Sequence, residues 1–468
     1  MSNHRFLSLS LTVCAGAIVT ALSTPVPQAQ AVESDLRLLA STNPAGQLRT
    51  FNVNGGLDLD NPFFQDLGTN GRRCVTCHQP RDAWSITPDG VQARFALSHG
   101  ADPIFSNNDG SNCEGATTQS EVEQRNAYSL LLTRGLIRVG LDVPHDAEFV
   151  VENVADPYQC GFATTDVSVY RRPLPTTNLP FLTAVMWDGR ESLSTSSILE
   201  DLARQANDAT RGHAASTRDL TVEETRHIVT FEAGLFSAQA VDTHGGSLQG
   251  HGGHGGPIAL SRQEFFIGIN DPVGMNPSSR AFDRHVFTIF DAWAGLPPAP
   301  RNLVNETRRA IVRGQQIFNM KPFTISGVGG LNGQTFASGV AVPASFTGTC
   351  TVCHDTPNAG NHSVKAPLDI GLTIPAVAPY LPIYTLRHVA TGDRVDTTDP
   401  GRALITGKWR DIGRFKGPIL RALAARPPYF HNGSAATLQE VVEFYDARFD
   451  LNLTPLEKAD LAAFLRAL

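Results

Sequence analysis

Two short motifs constrain this chain more than anything else in it. Cys74-Val75-Thr76-Cys77-His78 and Cys350-Thr351-Val352-Cys353-His354 both read Cys-x-x-Cys-His. That is the attachment pattern of a c-type haem. Two thiols bond to haem vinyl carbons, and the adjacent imidazole is placed to ligate the iron. A four-thiolate zinc site or a pair of redox dithiols would use the same cysteines. Neither explains a His directly after both second cysteines. The motifs therefore predict two covalently attached c-type haems, held by Cys74, Cys77 and His78 and by Cys350, Cys353 and His354. Twenty-five Phe residues are available to line two apolar pockets.

The N-terminus points to export. Residues 1–31 read as a secretory signal: His4 and Arg5, an apolar stretch from Phe6 to Leu22, Pro25 and Pro27, then Ala29-Gln30-Ala31 as a small-x-small cleavage pattern. The apolar run is too short and too rich in Ser and Thr for a comfortable membrane span, and no later segment is long and apolar enough. The mature protein is expected to be soluble and exported to an oxidising compartment, after cleavage near Ala31. Of the seven cysteines, Cys14 leaves with the signal and four belong to the motifs. Cys113 and Cys160 remain, and in an oxidising compartment they are expected to pair.

The chain has 468 residues, 41% hydrophobic and 18% charged, with a net charge of −7. It is long enough for two domains. The acidic balance argues against a nucleic-acid partner. The pass along the chain predicts a mainly α protein with two cytochrome c-like haem domains, long loops and little sheet. The N-terminal haem domain is 32–294 with insertions, 295–300 is the linker, and the C-terminal haem domain is 301–468. Helices are expected near 120–135, 195–209, 280–293 and 303–318. Residues 32–73 read as loop with one short helix and 322–349 as a long loop, and the Gly/His tract 243–257 reads as a flexible surface loop rather than a metal site. At the C-terminal end Thr437-Leu438-Gln439-Glu440 and Thr454-Pro455-Leu456-Glu457 are capping boxes. Leu438, Val441, Val442 and Tyr445 then share one helical face, with the Tyr445 phenol on the buried side. The last helix should bury Leu461, Phe464, Leu465 and Leu468.

The two motifs, Trp187-Asp188-Gly189-Arg190, and Pro428-Tyr429-Phe430-His431-Asn432-Gly433 followed by Leu438 to Tyr445 together resemble the bacterial di-haem cytochrome c peroxidase family. That family includes the enzyme that matures the tryptophylquinone cofactor of methylamine dehydrogenase. The resemblance spans most of residues 70–468. It implies that Trp187 lies between the haems and couples them, and that His431 lies near the C-terminal haem. Tyr445 stands where the peroxidases carry a Met ligand, as in the cofactor-maturing enzyme. A phenolate there would stabilise Fe(III) and lower the potential; a Tyr packed beside the haem without coordinating is the alternative. The N-terminal haem is the expected reaction site. His99 is a candidate displaceable sixth ligand, although its flanks match poorly. Gln205 matches a family Gln, but no Glu falls where the family places its acid-base group. His213 is close to that place and is a candidate for proton transfer, for iron ligation, or for an ordinary surface His. The family's calcium is left open, because Arg172 stands where an Asn would ligate it and Arg426 replaces a Thr.

The resemblance implies a periplasmic oxidoreductase that reduces hydrogen peroxide at the N-terminal haem. Electrons would come from a small redox protein, a cytochrome c or a cupredoxin, through the C-terminal haem. The runner-up is a tyrosine-ligated di-haem oxidase or oxygenase, using a high-valent di-haem state to oxidise a protein or organic substrate. A third possibility is a di-haem electron carrier that is not an enzyme.

Overall fold

A computed structural model describes residues 38–193, 196–298 and 301–468. All of them belong to one compact unit, Leu36–Leu468. The expected signal segment 1–31 lies outside the described residues, as do the linker residues Ala299 and Pro300. No helix among the described residues is long and apolar enough to cross a membrane.

The architecture corrects the mainly α expectation. The chain is mixed, 30% helical and 17% strand, with four small sheets among the described residues. The largest sheet runs through Leu38–Asn43, Gly46–Asn52, Leu235–Asp242 and Gly246–Ser247. Its third strand, Leu-Phe-Ser-Ala-Gln-Ala-Val-Asp, is buried along nearly its whole length. It therefore lacks the in-out alternation that betrays a strand in sequence. A second sheet joins Phe149–Ala155 to the hairpin Ile383–His388 and Arg394–Thr397. Phe323–Ser326 pairs with Ser345–Gly348 inside the segment expected as loop.

The helices followed the sequence more closely. The stretch 120–135 is two short helices, Glu121–Ala127 and Ser129–Arg134. Ile198–Gly212 opens on a Ser197/Glu200 capping box. Leu303–Met320 packs against Pro455–Arg466, whose Leu461, Phe464 and Leu465 are buried with Leu468 in the largest core cluster. The run 280–293 is not a helix. Only a 3-10 turn, Asp291–Gly295, forms there, because Phe287, Ile289, Phe290 and Trp293 enter the core from irregular backbone. The Gly/His tract is packed rather than a free surface loop. Leu248 within it is buried, and Trp293 donates its indole N–H to the Gly250 carbonyl at 3.0 Å. A Cβ on Gly253 would come within 2.9 Å of the Trp293 ring, which explains glycine in terms of close approach. Cys113 and Cys160 form the expected disulfide.

Candidate haem-binding cavities

Each Cys-x-x-Cys-His motif sits on a single turn that opens onto an apolar cavity. The first is the helical turn Cys74–Cys77, and the second is the 3-10 turn Cys350–Val352. All four cysteines are unpaired. Burial pushes the Cys350 and Cys353 thiols up to about 12 and raises those of Cys74 and Cys77. Among the described residues the two pairs do not converge on a shared metal position.

The histidines carry the most informative geometry. His78 Nδ1 stands 3.0 Å from the Trp84 carbonyl, and His354 Nδ1 stands 2.7 Å from the Gly360 carbonyl. Each imidazole thus donates its Nδ1–H to the backbone and keeps the Nε2 lone pair free, the tautomer a metal ligand needs. The Trp84 carbonyl is presented by Ala83 and Trp84, both in left-handed backbone. Burial lowers both imidazoles below their usual range, His78 to about 4, which favours the neutral form. The two residue sets fit a covalently held haem each.

The C-terminal cavity, about 200 Å³, is lined by Cys350, Cys353, His354, Phe318, Phe415, Phe430, His431 and the face Leu438, Val441, Val442 and Tyr445. The helix Leu438–Phe449 puts that face inward, with Thr437 capping the Glu440 amide. Burial, then the two cysteines, push the Tyr445 phenol above its ordinary range. His431 is stacked on Phe415 at 4.0 Å and lies 6.2 Å from Trp187. Neither of its ring nitrogens has a hydrogen bond, and burial lowers it to about 4.

The N-terminal cavity, about 140 Å³, is lined by Cys77, His78, Leu179, Leu182, Val185, Met186, Gln205, His213 and Glu232. No Phe is among its described lining residues; Phe63 stands 6.3 Å from His78. His213 follows the helix Ile198–Gly212, and its Nδ1 is bound to the buried Asp109 carboxylate, which Arg72 also holds. Against the cost of burial, His213 and Arg72 keep Asp109 below its usual range. His99, by contrast, is the exposed C-cap of Pro88–Ser98 and is not among the lining residues of either cavity.

Trp187 lines both cavities. Its indole N–H donates to the Arg172 carbonyl at 2.8 Å. Asp188 next to it is buried in an ion pair with Arg171, which also grips Asp399 at 2.7 Å. Arg172 is itself buried. Its buried guanidinium donates to the carbonyls of Ile86 (2.5 Å), Arg134 and Gly135 (3.2 Å each), and Arg426 and Pro427 (3.3 Å each).

Two residues of this region escaped the sequence reading. Glu232, on the helix Val222–Ala233, is buried against the N-terminal cavity with Oε2 unpartnered, and burial raises it to about 8. Lys416 lines both cavities, and burial followed by Arg426 pushes it down to about 7. Neither belongs to a motif. The only hint for Glu232 is its place on the apolar face of its helix, one residue after Phe231.

No family model matches the chain. It is 32% identical over 141 residues to "Cytochrome-c peroxidase IdrP1" of Pseudomonas sp. (strain SCT), covering 25% of this chain and 36% of that one. It is 36% identical over 141 residues to "Cytochrome-c peroxidase IdrP2" of Denitromonas iodatirespirans, covering 26% and 37%. It is 33% identical over 121 residues to "Cytochrome c551 peroxidase" of Nitrosomonas europaea, covering 25% and 30%. The chain thus spans about a third of the length of the curated relatives it matches. A crystal structure titled as a MauG-like protein associated with microbial copper homeostasis aligns over 92% of this chain and 93% of its own. Its sequence identity is 15% and its TM-score 0.37. The resemblance carried by the paired motifs is therefore borne out in sequence, and over the matched segments this chain is similar to the cytochrome c peroxidases.

Proposed function

We propose that this chain is an exported di-haem oxidoreductase that reduces hydrogen peroxide to water. One observation carries the reading: two cavities, each with a Cys-x-x-Cys-His set and a tautomer-fixed imidazole, share Trp187 in their walls. Bound haem would supply the electron-transfer chemistry at both. His78 and His354 would each hold one, in an N-terminal haem domain 32–294 and a C-terminal one 301–468 joined by 295–300. Peroxide would be taken up at the N-terminal haem. Electrons would enter at the C-terminal haem from a small cytochrome c or cupredoxin, with Trp187 as the link. Export to the periplasm is supported by the signal-like residues 1–31 and by the Cys113–Cys160 disulfide.

The protein's own part is proton handling. Asp109 holds His213 by Nδ1, which leaves Nε2 to take a proton from one peroxide oxygen and return it to the other. Gln205 offers a neutral hydrogen-bonding group on the same wall. Glu232, protonated up to about 8, is a second proton source. Two electrons and two protons enter, the O–O bond breaks, and two waters leave. The test is optical and EPR spectroscopy of the ferric and the half-reduced protein, each given one equivalent of peroxide, followed by steady-state oxidation of a reduced cytochrome. Oxidation of two donor equivalents per peroxide is expected. Silence in both redox states would overturn the reading in favour of an electron carrier.

Tyr445 favours a second reading. Its place beside Cys350 and Cys353 suits a tyrosine-ligated oxidase or oxygenase that acts on a protein or organic substrate. Rapid reaction of the fully ferric protein with peroxide would support it. An unchanged low-spin EPR signal in Tyr445→Phe would remove its basis.

A further inference from the structure

Asp271, Asp355 and His362 converge at the neck of the loop that follows His354. All three are at least nine-tenths buried, and one donor atom of each lies within 4.8 Å of those of the other two. His362 Nδ1 stands 3.3 Å from Asp355 Oδ2. Asp355 Oδ1 accepts the Ser363 amide at 2.5 Å, and Oδ2 accepts the Ser363 hydroxyl at 3.0 Å. Asp271 Oδ2 accepts the amides of Val273 and Met275 at 3.1 and 2.6 Å. Asp271 Oδ1 makes no hydrogen bond, and the 3.3 Å approach to Asp355 is all that His362 Nδ1 has.

Among the described residues neither carboxylate is paired with a Lys or Arg. Burial pushes the Asp271 carboxyl up and, against the cost of burial, Asp355 raises His362, so without an ion the cluster is held together by protons. A divalent cation would take the place of those protons among the three side chains. It also gives a partner to the free Asp271 oxygen. Calcium and magnesium prefer all-oxygen cages. One imidazole with two carboxylates suits a borderline ion such as zinc.

We propose that Asp271, Asp355 and His362 bind one structural divalent ion of the zinc class. The ion closes a loop with a definite task. Thr356 N donates to Asn361 O at 3.0 Å and Gly360 N to Thr356 O at 2.9 Å. Inside that loop the Gly360 carbonyl anchors His354. Asp355 and His362 are the two ends of the neck. Asp271 ties them to the segment whose Gly268 amide meets the Ser363 carbonyl at 2.8 Å. The bound ion therefore fixes the backbone that orients His354.

Elemental analysis of the holoprotein tests this, after gel filtration in metal-free buffer, with protein measured by amino-acid analysis. About one non-iron divalent ion per chain is expected. It should fall below about a tenth of that in Asp271→Asn and in His362→Gln, with iron content unchanged. Protein from zinc-supplemented growth that carries no stoichiometric non-iron metal overturns the proposal. So does metal content that persists in both variants. If the variants fail to fold, anomalous scattering at the zinc edge in wild-type crystals decides. A peak among the three side chains supports the site, and its absence overturns it.

Discussion

His213 depends on a neighbour far away in the chain. Asp109 lies in the loop before the Cys113–Cys160 disulfide and reaches His213 with Arg72 behind it. In sequence the His alone was visible, with three roles open; the carboxylate that orients it was not, because nothing local links 109 to 213. His213→Ala is expected to slow peroxide reduction at least about tenfold. Asp109→Asn should do the same more weakly, and stopped-flow rates check both. Glu232 makes a pH-dependent contribution of definite sign. Its carboxyl titrates near 8 in the folded chain, against an ordinary value of 4.5. Between those values the folded state keeps a proton that the unfolded state has lost, so stability falls as pH rises through that window. Glu232→Gln is therefore expected to be the more stable protein at pH 9, by on the order of a few kcal/mol, and to differ little at pH 4. Urea unfolding at the two pH values reads this directly.

At the scale of elements, what could be read depended on whether the signal was local. The C-terminal helices announce themselves through Thr437, Thr454 and a four-residue apolar face, and Leu438–Phe449 and Pro455–Arg466 stand where those signals put them. The strands do not. Gly46–Asn52 finds its partner at Leu235–Asp242, and Phe149–Ala155 finds its partner at Ile383–His388. Short strands paired across such distances carry no hairpin turn signal, and the buried one carries no alternation. The same local logic hides the meaning of Gly314. In the middle of the helix Leu303–Met320 it looks like a weak residue that Ala should improve. In the structure a Cβ there would lie 2.0 Å from the Asp460 carbonyl of the crossing helix. Gly314→Ala is expected to destabilise by about 1–3 kcal/mol, measured as a lowered urea midpoint, in opposition to its helix propensity.

For the whole molecule, Arg172 is a fixed cation where carbonyls from three distant segments meet, around 86, 134–135 and 426–427. Arg172→Met would leave those oxygens without their donor, and a loss of about 3 kcal/mol or more is expected in urea unfolding. Added calcium should not restore it. The paired strands also have a topological consequence. Residues 149–155 are threaded into a sheet with 383–388, so early and late parts of the chain are laced together rather than strung in sequence. A protease site placed at Gly295 should yield a cut chain that still migrates as one particle on a native gel. Its two pieces should come apart only in denaturant. Mechanically the molecule is a knot of returns, and severing the cord at its middle does not undo it.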